Sequence, residues 1–137
     1  MLLNRKEQFT PPKRLVFIID DNRMVAKSIM QMLEMLGYET QAAYGTMTAI
    51  QAMGQRPPDM IMLDLHMQGL NGVEMCRHIK SDEYLQNIPI IAMSSDTQSE
   101  LIHSMRQAGA VAFVPKPISV ELLEDTLKEV ERIYLKH

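Results

Sequence analysis

The chain has 137 residues, of which 46% are hydrophobic, and a formal net charge of −3 at pH 7. This length suits one domain with a core large enough to need no disulfides. Its scattered charges form no basic cluster of the kind that binds nucleic acid, and no apolar run approaches the roughly 20 residues of a membrane span. The start lacks a secretion signal and Cys76 is the one cysteine, so we expect a cytoplasmic protein.

Short apolar runs alternate with helical periodicity along the chain. Residues 1–13 form a polar, proline-punctuated extension, 14–134 the ordered domain and 135–137 a tail. Continuous apolar runs are typical of strands buried on both faces, and three- and four-residue spacing is typical of helices. In chain order, the pattern predicts a strand over 15–19, a helix over 22–36, a strand over 38–43, a helix over 46–55, a strand over 60–63, a helix over 73–80, a strand over 90–93, a helix over 100–108, a strand over 111–114 and a helix over 119–134.

Five strands that alternate with five helices predict an α/β domain with a parallel sheet, because right-handed crossovers place the helices on both faces. The strand over 38–43 is less apolar than the others and is predicted at an edge of the sheet. In such sheets, ligands bind beyond the carboxyl ends of the strands. We therefore expect the functional residues at the carboxyl ends of the strands.

Polar residues follow the first, third, fourth and fifth strands: Asp20 and Asp21, Asp64, Ser94 and Lys116. Each has an ordinary structural explanation, as a helix cap, a loop acid, a turn residue or a solvated lysine. Their joint placement at one edge of one sheet favours a functional site instead. The sequence therefore predicts that these five side chains converge.

Three carboxylates in one crevice repel each other unless cations compensate their charge. Lys116 supplies one positive charge, and the oxygen-rich site favours Mg²⁺ or Mn²⁺ over zinc for the remainder. A carboxylate can also attack phosphorus, with a metal, an ammonium group and a hydroxyl neutralising the transferred phosphoryl group. Our hypothesis is that Asp64 is the nucleophile, Asp20 and Asp21 hold the metal, and Lys116 and Ser94 bind phosphoryl oxygens.

Four segments together resemble the receiver domain of two-component response regulators: V-F-I-I-D-D-N, M-I-M-L-D-L-H-M-Q-G-L-N-G, I-P-I-I-A-M-S-S and F-V-P-K-P. The resemblance covers residues 14–134. It implies a doubly wound, flavodoxin-like sheet with strand order 2-1-3-4-5. It also implies that Asp64 is the phospho-acceptor, Asp21 a direct metal ligand, Asp20 a ligand through water, and the backbone carbonyl of His66 a third protein ligand.

The resemblance assigns further roles at the fourth and fifth strands. Ser94 matches the switch hydroxyl and Phe113 the aromatic switch position, so we expect Ser94 to move toward a phosphoryl group and Phe113 to rotate inward. Lys116 matches the family's lysine, and the Lys116–Pro117 bond is expected to be cis. Gln68 departs from the pattern, because proline is usual at that position.

The resemblance implies a sensor histidine kinase or phosphotransfer protein as the donor, and a downstream protein target or output domain as the recipient. A homodimer through helix 4, strand 5 and helix 5 is a further candidate; no nucleic acid or membrane partner is expected. Three alternatives remain open: an aspartyl-nucleophile, metal-dependent phosphatase, a flavodoxin-like cofactor binder, and a receiver-like interaction module that takes no phosphate.

Most of the 13 methionines fall at predicted core positions, where Met fills irregular gaps. Met105, on the predicted fourth helix, is one exception and a candidate for a partner surface. Cys76 is interpreted as a small buried residue.

Overall fold

Strands and helices alternate along the whole of the computed structural model, which describes residues 12–67 and 71–135. The elements are β1 (Leu15–Ile19), α1 (Arg23–Met35), β2 (Glu39–Ala43), α2 (Thr46–Gln55), β3 (Met60–Asp64), α3 (Gly72–Ser81), β4 (Ile90–Ser94), α4 (Ser99–Ala108), β5 (Ala112–Pro115) and α5 (Val120–Tyr134). No helix in these ranges is long and apolar enough to cross a membrane.

The five strands form one parallel sheet in the order β2-β1-β3-β4-β5. This confirms the predicted doubly wound fold and the edge position of β2. Successive side chains of a strand point to opposite faces, so each central strand serves two cores. Phe17 and Ile19 pack with residues of α2, α3 and α4, whereas Val16 and Ile18 pack with residues of α1 and α5.

Helices α1 and α4 each end close to a glycine, and these helix ends determine where β2 and β5 begin. Gly37 and Gly109 adopt φ of 96° and 118°, a left-handed conformation that suits the residue after a helix. The N–H of Tyr38 donates to Leu33 O (3.0 Å), which closes the end of α1. The prediction that Tyr38 starts β2 is therefore wrong, and the strand begins at Glu39. The fifth strand likewise begins at Ala112, one residue later than predicted.

The predicted extension and tail lie mostly outside the described residues, and so does Gln68. The division into residues 1–13, 14–134 and 135–137 therefore stays a prediction.

The burial of several methionines differs from the prediction. Met105 is 1% exposed and belongs to the core, so its prediction as a surface residue is wrong. Three others are exposed instead: Met24 (83%), Met35 (82%) and Met47 (70%). Cys76 is fully buried, and its thiol donates to Ala108 O (3.4 Å), as its structural interpretation requires.

A half-buried polar cluster ties α5 to the start of the sheet, at the end opposite the predicted site. The Tyr38 hydroxyl and the Arg14 guanidinium both donate to the Glu131 carboxylate. A second nitrogen of Arg14 donates to Leu135 O (3.2 Å). Burial, and then the hydrogen bond to Glu131, raise the pKa of Tyr38.

We expect Tyr38→Phe to lower the free energy of unfolding at neutral pH by about 1 kcal/mol, the loss of one hydrogen bond. Unfolded tyrosine ionises near pH 10, whereas folded Tyr38 keeps its proton to higher pH, so its contribution is lost as pH rises above about 10. Urea unfolding between neutral and alkaline pH should therefore show the wild-type and variant stabilities converging. Parallel curves would contradict the assignment.

Candidate functional site

The polar residues that follow the strands converge at the carboxyl edge of the sheet. Oxygen atoms of Asp20, Asp21 and Asp64 lie within 4.8 Å of one another. The Lys116 ammonium pairs with Asp20 Oδ2 (2.8 Å) and with Asp64 Oδ1 (3.3 Å). The carboxyl ends of three strands thus bring together four of the five residues predicted from sequence.

Hydrogen bonds to two backbone groups hold Asp20 in place. Its N–H donates to Ala43 O (3.2 Å) at the end of β2, and its Oδ1 accepts the N–H of Asn22 (2.9 Å). The Asn22 side chain in turn caps α1 by accepting from Met24 N and Val25 N, both at 3.1 Å. Asp20 is fully buried, so it depends on Lys116 for charge compensation.

Asp64 is the last residue of β3 and is 4% exposed. Burial, and next the charge of Asp20, raise its pKa above the usual carboxyl value. Lys116 and the N–H of His66, which donates to Asp64 Oδ1 at 3.3 Å, offset part of this effect. The site therefore carries more negative charge than its own cation neutralises.

Ser94 ends β4 and is fully buried. Its hydroxyl accepts the N–H of Asp96 (2.9 Å), and its carbonyl accepts the N–H of Lys116 (2.9 Å). The next peptide bond, Lys116–Pro117, is cis. One residue, Lys116, therefore touches the carboxylates through its side chain and β4 through its backbone.

The other predicted residues lie around this cluster. Asp21 is exposed, beside the buried Asp20. His66 contacts Asp64 through its backbone, and its side chain is exposed. Phe113 lies on β5, half-buried, and packs against the core on the α4 side of the sheet.

The donor atoms fit a hard divalent cation. All three side chains offer carboxylate oxygens, which Mg²⁺ and Mn²⁺ prefer, and no histidine or cysteine joins the group among the described residues. Two of the three side chains, Asp20 and Asp64, are buried and share the single ammonium group of Lys116, so the cluster carries more negative than positive charge. A divalent ion would meet both conditions.

The start of α3 closely approaches the backbone at the end of β3. The N–H of Gly72, the first residue of α3, donates to Leu65 O (3.1 Å). A Cβ atom at position 72 would lie 2.5 Å from Leu65 Cα and 2.9 Å from Asp64 O. Only glycine fits here, so α3 can press directly on the strand end that carries Asp64.

Sequence reasoning missed one pair at this edge. The guanidinium of Arg23 lies 4.2 Å from the centre of the Tyr44 ring, a cation–π distance. Arg23 directly follows the D-D-N segment, and Tyr44 directly follows β2. The pairing of β1 with β2 in the expected strand order was the signal that could have placed Arg23 beside Tyr44.

The structure is a doubly wound α/β domain with an acidic cluster at its strand ends, and sequence comparison gives the family. A sequence profile of the response regulator receiver domain matches residues 16–128. The chain therefore belongs to the receiver domain family of two-component response regulators. Receiver domains are signalling domains that act between a histidine kinase or phosphotransfer protein and a downstream target.

Relatives of known name support this membership. The polar-differentiation response regulator DivK of Brucella ovis is 32% identical over 113 residues, which are 82% of this chain and 92% of that protein. The signal receiver domain of a DNA binding response regulator from Colwellia psychrerythraea 34H is 31% identical, with a TM-score of 0.81 over 88% of this chain and 99% of that one. CheY4 of Vibrio cholerae, at 24% identity and a TM-score of 0.82, covers 87% and 99% and supports the fold alone.

Proposed function

We propose that this receiver domain accepts a phosphoryl group onto Asp64 from a sensor histidine kinase or phosphotransfer protein. The observation that carries the proposal is the contact of one ammonium group, Lys116, with both a buried carboxylate and the candidate acceptor. This arrangement supplies an oxygen nucleophile and a cation at one point of a sheet edge.

Mg²⁺ or Mn²⁺ would be held by the carboxylates of Asp21 and Asp64 and the backbone carbonyl of His66, with Asp20 acting through water. When bound, the ion neutralises negative charge on the site and on the incoming phosphoryl group. Asp20 stays paired with Lys116, and the exposed Asp21 is the carboxylate that solvent reaches most readily.

In the transfer step, a carboxylate oxygen of Asp64 forms the new P–O bond as the P–N bond of the donor phosphohistidine breaks. The imidazole leaves with the electron pair of that bond. Lys116 and the Ser94 hydroxyl bind phosphoryl oxygens. Catalysis then consists of positioning and charge stabilisation, as in other phosphoryl transfers.

The output follows from Ser94 and Phe113. When the hydroxyl of Ser94 turns toward the phosphoryl group, it leaves the N–H of Asp96, and Phe113 rotates inward from its half-buried position. The surface of α4, β5 and α5 changes shape and docks a downstream protein, an output domain or a second copy. Its charges suit self-association, because the exposed Arg106 lies on α4 and the exposed Asp125 on α5.

The decisive experiment compares wild type with Asp64→Asn after incubation with Mg²⁺ and beryllofluoride or acetyl phosphate. We expect one adduct per wild-type chain and none on the variant, because an amide is not a nucleophile toward phosphorus. Intact mass measurement and Phos-tag electrophoresis detect the phosphoryl group. Glu83→Gln, at an exposed carboxylate in the turn after α3, is the matched control and should react like the wild type.

The alternatives predict other results. An interaction module that takes no phosphate would leave the wild type without an adduct. A metal-dependent phosphatase would instead turn over phosphate esters continuously, and a flavodoxin-like protein would retain flavin. A cytoplasmic location remains a prediction of the sequence.

A further inference from the structure

The Arg23 guanidinium is a cation that stacks on an aromatic ring and has no charged partner among the residues that the structure describes. It lies 4.2 Å over the Tyr44 ring on the exposed surface of α1. The ion pairs within residues 12–67 and 71–135 do not include Arg23. Stacking on an aromatic ring orients the planar guanidinium while leaving its N–H groups available to a ligand.

The Arg23–Tyr44 pair belongs to the same sheet edge as the acidic cluster. Ala43, the residue before Tyr44, accepts the N–H of Asp20 (3.2 Å), so the end of β2 is joined to the start of the site. On the other side, Arg23 is two residues after Asp21, and the Asn22 cap holds the start of α1 in place. Both partners therefore lie at the carboxyl edge of the sheet, next to residues that belong to the acidic cluster or hydrogen-bond to it.

An anionic phosphoryl donor must approach this pocket against the charge of three carboxylates. The Lys116 ammonium is already engaged by Asp20 and Asp64. A further cation at this edge of the sheet lowers the electrostatic barrier to the encounter, and does so more for donors of higher negative charge.

We propose that Arg23, held by Tyr44, is an oxyanion receptor that binds the phosphate oxygens of the incoming phosphoryl donor and sets the preference for donor charge. This inference rests on the proposed phosphorylation of Asp64. Arg23 positions the donor and takes no part in bond making. Its contribution is to the rate of productive encounter.

The test measures second-order rates of phosphorylation by two small donors, the dianion acetyl phosphate and the less charged phosphoramidate, across a series of salt concentrations. The chain has no tryptophan, so Phos-tag electrophoresis follows the reaction. At low ionic strength we expect Arg23→Gln to lower the acetyl phosphate rate about three- to tenfold, by Coulomb's law. The loss should be smaller with phosphoramidate and should shrink as salt screens the charge.

Matched variants separate this role from a general charge or folding effect. Lys27→Gln removes an exposed positive charge one turn further along α1 and should change the rate much less. Tyr44→Phe keeps the aromatic ring and should react like the wild type, whereas Tyr44→Leu should lose much of the Arg23 effect. With saturating beryllofluoride, Arg23→Gln should reach the same final extent of adduct as the wild type.

Three results would overturn the proposal: equal losses with both donors at all salt concentrations, a loss for Lys27→Gln as large as that for Arg23→Gln, or no adduct on the wild type. The last result would remove the proposed function as well. The first two would leave phosphorylation of Asp64 intact and reject only the role of Arg23.

Discussion

Lys116→Met should lower the free energy of unfolding of the metal-free protein by about 3 kcal/mol, within the range for breaking a buried ion pair by removing one partner. Asp20 is fully buried, and Lys116 is its one cationic partner among the described residues. Removing the ammonium also leaves Asp64 beside an uncompensated negative charge, when its pKa is already raised by burial and by Asp20. Urea unfolding in the presence of a chelator measures the loss.

The same variant should gain more stability from Mg²⁺ than the wild type does, because a divalent ion then meets three carboxylates without a competing ammonium. Lys128→Met is the matched control. Its ion pair with Glu124 is exposed, at 3.7 Å, and its loss should cost at most about 0.5 kcal/mol. Lys116→Arg keeps the charge and provides a folded comparison. Equal losses for Lys116→Met and Lys128→Met would show that the buried pair contributes little.

The parts of the fold that follow from periodicity were predictable, because burial on both faces leaves a strong pattern. Val16 to Ile19 and Ile61 to Leu63 are apolar without interruption, and each proved to be a central strand. The convergence of Asp20, Asp64 and Lys116 was also predictable, since parallel strands end at one edge. The positions of these three residues follow from the strand order alone, without side-chain geometry.

What failed depends on contacts between segments distant in sequence. Tyr38 reads as a strand residue, but its N–H is taken by the end of α1. Met105 follows Leu101 and precedes Ala108 at helical spacing, and it is buried in the core that α4 shares with α2 and α3. Arg23 and Tyr44 are unremarkable alone, and their stacking exists only because the ends of β1 and β2 are adjacent.

Gly72→Ala is the second substitution for which we expect a large effect. The cause is a steric clash rather than a strained backbone conformation. Its φ is not positive, but an added Cβ would meet Leu65 Cα at 2.5 Å and Asp64 O at 2.9 Å. Backbone atoms cannot move aside as a flexible side chain can. Gly72→Ala should therefore lower the free energy of unfolding by about 2 kcal/mol, in the range found for overpacked sites.

The functional loss from Gly72→Ala should exceed the stability loss. Displacing the carbonyl of Asp64 moves the nucleophile, and a shift of about 1 Å in a reacting group can cost roughly a hundredfold in rate. Gly54→Ala, on α2, is the matched control, because a Cβ added at this position would have no atom within 4 Å. There, alanine should stabilise the helix by about 0.5 kcal/mol and leave phosphorylation unchanged. If Gly72→Ala accepted the phosphoryl group at the wild-type rate, the contact between α3 and the end of β3 would have no part in positioning Asp64.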